Sequence, residues 1–579
     1  MPVLQKNLPL LHTPTFQQMS PSPPAAATVA NAFVANDPTG RSPFVLYVVS
    51  TTVQYLYTDN GWVQIPSGAL ATFGAGACAV YHPWSNTYTA NGGSTTTATV
   101  AAGTHNITGL ALGDTIEFVA SGTNSGLRRT ITGVINNAGT GTITIQWSGA
   151  VATAVLNTHT FRISTGRFFV YGGGTTTAGS FKSFDVGTMS WSGNLTVTGV
   201  PTFTNDGRMA LMYQRPKSFQ SGLATAVTNT TNATISDNTK SWKVNQWIGY
   251  WVRITSGAGS PNGSTGAINP LLQITSNTAT TLTLSGVFAT TPPDTTSSYS
   301  IEDILASGVA TSGSTTTLVN SAKSGGSAWT ANQWTNSRVR ITGGTGLGQT
   351  SIIASNTGDT LTIGTVGTAI ASGSIYEIEG DENFIYLAGN ASVAMYKYSI
   401  SAGTWVGGGA ITPTTARTTA PGASLSLNAA YHTGCPNWGS EPTILNGRYL
   451  YSFRGGGSGV VDRFDIAGGT AGAGAWVAVT TVNAETFTAG TSFGIWKGKI
   501  YIRKESASGV AQRFFYYDVV KNALLPFTTL NYPDGAALAG TKIWVKTFDQ
   551  NQTDADTDAV NWLYTLQSTG TALHRIMLF

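Results

Sequence analysis

The stretch Asn446 to Trp476 reads NGRYLYSFRGGGSGVVDRFDIAGGTAGAGAW. Tyr449, Tyr451 and Phe453 alternate with Leu450 and Ser452, which marks a strand with two occupied faces. Gly455, Gly456 and Gly457 then force a tight turn. A second strand runs from Val460 to Ile466 and carries the aromatic-Asp pair Phe464-Asp465. A loop of Gly and Ala leads to Trp476, which opens a third strand.

The same unit recurs outward in both directions. Arg167 to Tyr171 precedes Gly172 to Gly174, then Phe184-Asp185 and Trp191. Asn383 to Leu387 precedes Gly389, then Tyr398-Ser399 and Trp405. Lys499 to Ile502 leads to Tyr517-Asp518, with Leu524 in the place of the Trp. Trp562 to Leu566 leads to Leu573 to Phe579, and Phe44 to Val49 leads to Tyr55 to Tyr57 and Trp62. Regular units of short strands predict an all-β propeller of roughly six blades. The Gly-Gly, aromatic-Asp and Trp pattern resembles kelch blades, a likeness of fold that does not fix function.

Charged residues make up 10% of the 579, and the formal net charge is +4. No Lys/Arg run stands out, so no specific nucleic-acid binding is expected. Cys78 and Cys435 are the two cysteines, too few for a disulfide scaffold. No apolar run reaches the length of a membrane span.

The units divide the chain. Residues 1–43 hold Pro2, Pro9, Pro14, Pro21, Pro23, Pro24, Pro38 and Pro43 and read either as a disordered tail or as an extended N-terminal arm ordered against a neighbouring subunit, the arm being the expected state. Residues 44–91 and 165–219 are propeller segments, and 380–579 carries the blades that follow. Between them lie three inserted modules, 92–164, 220–303 and 304–379, each long enough for a small barrel or sandwich. The later two align: Trp242-x4-Trp247 with Trp329-x4-Trp334, Val252-Arg253-Ile254 with Val339-Arg340-Ile341, and Ser276-Asn277-Thr278 with Ser355-Asn356-Thr357. Trp247 and Trp334 are expected in their cores. The first module reads as a more divergent copy.

No catalytic, cofactor-binding or metal-binding residues are assigned. Gly343-Gly344-Thr345-Gly346-Leu347-Gly348-Gln349-Thr350 resembles a phosphate loop, but Gln349 replaces the Lys and a strand follows instead of a helix. Asp554, Asp556 and Asp558 alternate like calcium ligands, yet Ala559 and Thr565 stand where an EF-hand needs Gly and Glu. Cys78-x3-His82 and His432-x2-Cys435 offer zinc-type ligands on separate units. Asp59-Asn60-Gly61 reads as a plain hairpin turn.

Low charge, Thr/Ser/Gly-rich strands, tandem β modules and a proline-rich arm resemble virion proteins of tailed bacteriophages. The modules with Trp-x4-Trp, Val-Arg-Ile-Thr and Ser-Asn-Thr resemble repeats of such proteins, and tail-nozzle proteins are similar in plan. That resemblance implies a structural, non-enzymatic component of the virion, assembled in the host cytoplasm, with a nozzle or hub-like role. Its implied partners are copies of itself in a symmetric ring and other virion structural proteins. A fibre or decoration protein binding a host surface glycan or receptor through Tyr250-Trp251 or Trp438 is one alternative. A propeller glycoside hydrolase is another.

Overall fold

The computed structural model describes residues 17–18, 33–36, 44–50, 52–58, 61–66, 76–82, 85–101, 115–119, 121, 124, 127–137, 139–164, 166–173, 179–199, 207–211, 218–242, 244–245, 247, 249–260, 269–302, 304–325, 328–329, 331–381, 383–421, 426–431, 446–466, 474–479, 485–487, 491–496, 499–504, 514–519, 522–528, 542–548, 560–566 and 573–578. Among them the protein is all-β, with antiparallel sheets and no α-helix.

Six sheets have four strands and three have seven. The first four-stranded sheet comprises Phe33–Asn36, Val45–Val48, Gln54–Thr58 and Gly61–Gln64. The second comprises Cys78–His82, Arg167–Tyr171, Phe181–Asp185 and Ser190–Trp191. Gly207–Leu211, Phe384–Gly389, Met395–Ser399 and Thr404–Ile411 form the third. Asn428–Tyr431, Asn446–Gly455, Ser458–Asp465 and Ala475–Val479 form the fourth. The fifth comprises Ser492–Trp496, Lys499–Arg503, Phe514–Asp518 and Ala523–Thr528. In the sixth, Lys542–Phe548, Val560–Leu566 and Leu573–Leu578 are completed by Gln17–Gln18 from near the start of the sequence.

Two segments of the proline-rich stretch are therefore strands of the protein's own sheets, where the sequence predicts only an arm. Phe33–Asn36 pairs with Val45–Val48 and buries Phe33 and Ala35. It escapes notice because a strand of four residues is too short to show a period. Residues 1–16 lie outside the described residues.

Shared cores knit the sheets in order. Phe33 and Leu46 of the first sheet pack with Phe168 and Phe184 of the second. Phe169 and Phe181 then pack with Leu387 and Tyr398 of the third. Tyr386 joins Leu450 and Phe464 of the fourth. Phe453 joins Ile500 and Tyr517 of the fifth. Tyr501 and Phe514 join Leu563 and Ile576 of the sixth. Tyr564 and Leu573 return to Val45 and Tyr47 of the first. The succession of shared cores is cyclic.

The repeated motif has a local cause. The aromatic before the Asp, or before Ser399 in the third sheet, faces the Trp across neighbouring strands: Phe184 opposite Trp191, Tyr398 opposite Trp405 and Phe464 opposite Trp476. Ring centroids lie 5.1, 5.2 and 5.1 Å apart, within the range where offset rings attract. The residue two before each Trp is left-handed: Met189, Gly403 and Gly474. In the second sheet Asp185 Oδ1 accepts from Thr188 N at 3.0 Å and holds that turn. Each Trp also grips the segment leaving the preceding sheet. Trp191 Nε1 donates to the Pro66 carbonyl at 3.1 Å and Trp405 Nε1 to the Thr196 carbonyl at 2.9 Å. The Trp476 backbone N–H donates to the Thr415 carbonyl at 2.9 Å.

Gly474 gives a direct test of that turn. Its φ is +84°, and a Cβ there would stand 2.2 Å from Phe464 Cζ. Gly474→Ala is expected to cost about 1–2 kcal/mol for the left-handed backbone and a further ~1–3 kcal/mol for overpacking. Chemical denaturation of the variant checks this, and an unchanged midpoint would refute it.

The three seven-stranded sheets fall between first and second strands of the four-stranded ones. Ser85–Thr89 to Thr160–Ser164 lies within the second sheet's sequence. Ser218–Leu223 to Ser298–Glu302 and Ala306–Val309 to Ile375–Asp381 lie within the third's. Numbering the strands of each module in chain order, all three sheets run 1-7-4-5-6-3-2. The first module's opening strand precedes residue 92, where the sequence places the boundary. Each module encloses its own core, and among the described residues no hydrophobic cluster draws on two modules.

Candidate functional site: a charge cluster shared by three modules

The fourth strand of each module places a charged residue between two core residues. These are Glu117 between Ile116 and Phe118, Arg253 between Val252 and Ile254, and Arg340 between Val339 and Ile341. Strand alternation turns the flanking pair into the module core and the charge outward. Opposite them on the seventh strands stand Arg162, Ser300 and Glu377. Here the outward side is not solvent. The ion pairs that join the modules run from the fourth and fifth strands of module 1 and the fourth strand of module 2 to the fourth and seventh strands of module 3, and the charges are buried between them.

Module 3 is the hub. Arg128 of module 1 donates from Nη1 to Glu377 Oε1 at 2.6 Å and from Nη2 to Glu379 Oε1. Arg253 of module 2 donates from Nε to both oxygens of Glu302 at 2.9 Å, and from Nη2 to Glu377 Oε2 at 2.7 Å. Arg340 reaches back across the junction to Glu117 and lies 3.3 Å from Glu379 within its own module. Arg338 Nε donates to Glu379 Oε2 at 2.7 Å. Glu377, Glu379 and Arg340 have 0% of their surface exposed. Arg340 Nη1 and Nη2 have no hydrogen-bond partner among the described residues, and the Nη2 end is met by its ion pair with Glu117.

The signs balance at the centre. Arg128, Arg253, Arg338 and Arg340 face Glu117, Glu302, Glu377 and Glu379. Arg162 pairs with Glu117 at the more open rim. Burial would raise the Glu117 carboxyl, but Arg340, Arg128 and Arg162 outweigh it and hold the group well below the usual carboxylate range. Burial likewise pulls Arg128 down, and Glu379, Glu377 and Glu117 raise it overall. Arg129 sits beside the cluster without a carboxylate bond. It donates to the carbonyls of Arg128, Gly149 and Ala150, and burial together with the facing Arg253 brings it down to about 10.

The motifs singled out in the sequence lie elsewhere. Trp242, Trp247, Trp329 and Trp334 are all buried in module cores. Tyr250 is buried as well, edge-on to Trp247 at 5.3 Å, and Trp251 is half-buried on the fourth strand. A sugar-stacking role for Tyr250 is therefore corrected to a core role. Gly343 to Thr350 is a hairpin loop between the fourth and fifth strands of module 3. Its Gln349 is fastened to Thr368, donating to the carbonyl at 3.0 Å and accepting from the N–H at 2.6 Å. Cys78 and His82 are buried at opposite ends of one strand. His432, Cys435, Trp438, Asp59, Asn60, Asp554, Asp556 and Asp558 lie outside the described residues. Among those described, no group of three or more His, Cys, Asp or Glu is placed to hold a metal, and no helix is long and apolar enough to cross a membrane.

Sequence reasoning missed the charge cluster. The available signal was Arg or Glu recurring between core positions in a chain with 10% charge. Chemically the arrangement joins surfaces: each carboxylate is engaged by guanidinium, and Ser300 Oγ also donates to Glu302 Oε1 at 2.7 Å.

No protein-family model matches the chain, and no curated protein matches it. Among solved structures, it is similar to an auxiliary nutrient binding protein from Bacteroides ovatus, at 10% identity and TM-score 0.16, covering 60% of this chain and 94% of that one. An auxiliary nutrient binding protein from Bacteroides thetaiotaomicron gives 9% identity and TM-score 0.20 over 87% and 99%. The phage phi92 endosialidase gives 10% identity and TM-score 0.15 over 97% and 59%. Likenesses at this level identify no relative.

Proposed function

We propose that the chain is a structural component of a tailed-bacteriophage virion, a nozzle or hub-like assembly protein working through subunit contacts and not through catalysis. In this reading the six four-stranded sheets are the blades of a propeller and the three modules are domains inserted in two successive blades. The observation that supports it most is the cyclic succession of shared cores, with the sixth sheet returning to the first through Tyr564 and Tyr47. The strand Gln17–Gln18 completing that last sheet agrees with ring closure, which leaves few exposed edges. A low-charge body of this kind suits a particle in which much surface is covered by neighbours, assembled in the host cytoplasm.

The arm reading narrows to residues 1–16. Leu8, Leu10, Leu11 and Phe16 are proposed to pack on a neighbouring subunit, each fully buried side chain contributing roughly 1.5–3 kcal/mol before ordering costs. The test is native mass spectrometry and electron cryo-microscopy of the full chain beside a variant lacking residues 2–16. The full chain is expected to form a ring of six or twelve copies, and the truncated chain to fold as a monomer. A full chain that stays monomeric at high concentration, or a truncated one that assembles normally, would sink the reading. A trimer would favour a fibre role.

A further inference from the structure

We infer that the outer face of the fourth, fifth and seventh strands is a homotypic docking surface, keyed by the shared charge cluster, through which the three modules recognise one another and form a single head clamped across two neighbouring sheets. Three observations carry this. First, the same face is used three times: Glu117, Arg253 and Arg340 hold one position in three sheets of identical strand order, and all three sit in one cluster. Second, the module cores are separate: among the described residues no hydrophobic cluster spans two modules. Third, the bonds that cross modules are directional. Arg128 reaches Glu377 and Glu379, Arg253 reaches Glu377, and Arg340 reaches Glu117. Guanidinium–carboxylate geometry fixes angle as well as distance.

The partner that fits this face is thus another copy of the module, with the sign of the key position reversed. Module 1 presents Glu117 where its sisters present Arg253 and Arg340, and three arginines at that point would repel. Topology then gives the docking a consequence. Module 1 is threaded out of the second sheet, modules 2 and 3 out of the third, and those sheets share a core through Phe169, Phe181 and Tyr398. Docking closes a second bridge between the two, away from that core. The cluster is the contact that decides whether module 1 stays fixed, because modules 2 and 3 are also joined directly by the short segment before Leu305.

Paired spin labels on the full chain test this, with Cys435 replaced by Ser and Cys78 left buried. Labels at the exposed Thr140, Asn238 and Thr357 mark modules 1, 2 and 3. In the parent chain all three distance distributions are expected to be narrow. In Arg128→Met combined with Glu117→Gln, the 140–357 and 140–238 distributions should broaden at least twofold while 238–357 keeps its width. Unchanged 140–357 widths would overturn the proposal. Equal broadening of all three pairs would also overturn it, since that reports general loosening and not release of module 1. If the double variant does not fold, Arg128→Lys keeps the charge but not the forked geometry. It should still broaden 140–357, and an unchanged width there would overturn the directional key.

Discussion

Replacing Glu379 with Ala is expected to destabilise the three-module head by about 3–5 kcal/mol, the usual cost of removing one partner from a buried ion pair. Glu379 is wholly buried and engages Arg128 from module 1 and Arg338 and Arg340 from its own module. Its loss leaves guanidinium charge without a counter-ion in a site water does not reach. The penalty lies mostly in that stranded charge and not in the bond itself, so Glu379→Gln, which keeps an acceptor but not the charge, should cost nearly as much. Thermal unfolding followed by circular dichroism gives the measure, and a shift within error of zero would mean the cluster is hydrated in solution. Acid should act in the same direction. Glu117 is held below its ordinary 4.5, so it contributes stability fully above that value. The contribution is lost as pH falls through the lower folded-state value, which places any acid release of the head well below pH 4.5.

How much of this was legible in the sequence depends on whether a feature repeats with its chemistry intact. The aromatic-Asp-turn-Trp unit largely does, because in the second, third and fourth sheets it solves one local problem, a ring facing a Trp over a tight turn, although Ser399 replaces the Asp in the third and Leu524 the Trp in the fifth. Phe169, Tyr386, Tyr449, Tyr501 and Tyr564 accordingly lie on second strands of their sheets. The paired Trp residues of modules 2 and 3 were legible for the same reason. Phe33–Asn36 was not, since its burial is decided by the neighbouring strand Val45–Val48 and not by its own pattern. The cluster was hidden by its own logic. A homotypic interface needs opposite charges at equivalent positions, so Glu117 in place of Arg looks like divergence when it is complementarity. Nor does a single strand reveal that its outward face meets another module.

Trp334→Ala is expected to cost about 3–5 kcal/mol, and the comparison with Trp334→Phe shows what the residue is for. Trp334 is 1% exposed and edge-on to Trp329 at 6.4 Å. Its backbone N–H donates to Asn356 Oδ1 at 2.8 Å, while Asn332, left-handed at φ +59°, donates its own N–H to the Asn356 carbonyl at 2.8 Å. Module 2 repeats the clasp: Trp247 N–H to Asn277 Oδ1 at 2.8 Å, and Asn245, at φ +62°, to the Asn277 carbonyl at 2.9 Å. The Asn of Ser-Asn-Thr thus ties the Trp-bearing turn to the fifth strand, and the indole fills the space beneath. Both indole Nε1 atoms are buried without a hydrogen-bond partner among the described residues. The ring is therefore kept for its volume and not for its donor. Phe gives up part of the volume but also removes that unmade donor, whose burial costs about 1–3 kcal/mol. Trp334→Phe should accordingly lose less than about 2 kcal/mol. Denaturant titration of the two variants decides it. A loss under about 1 kcal/mol for Ala would show the ring is not core, and equal losses for Ala and Phe would show that the N–H is satisfied in solution.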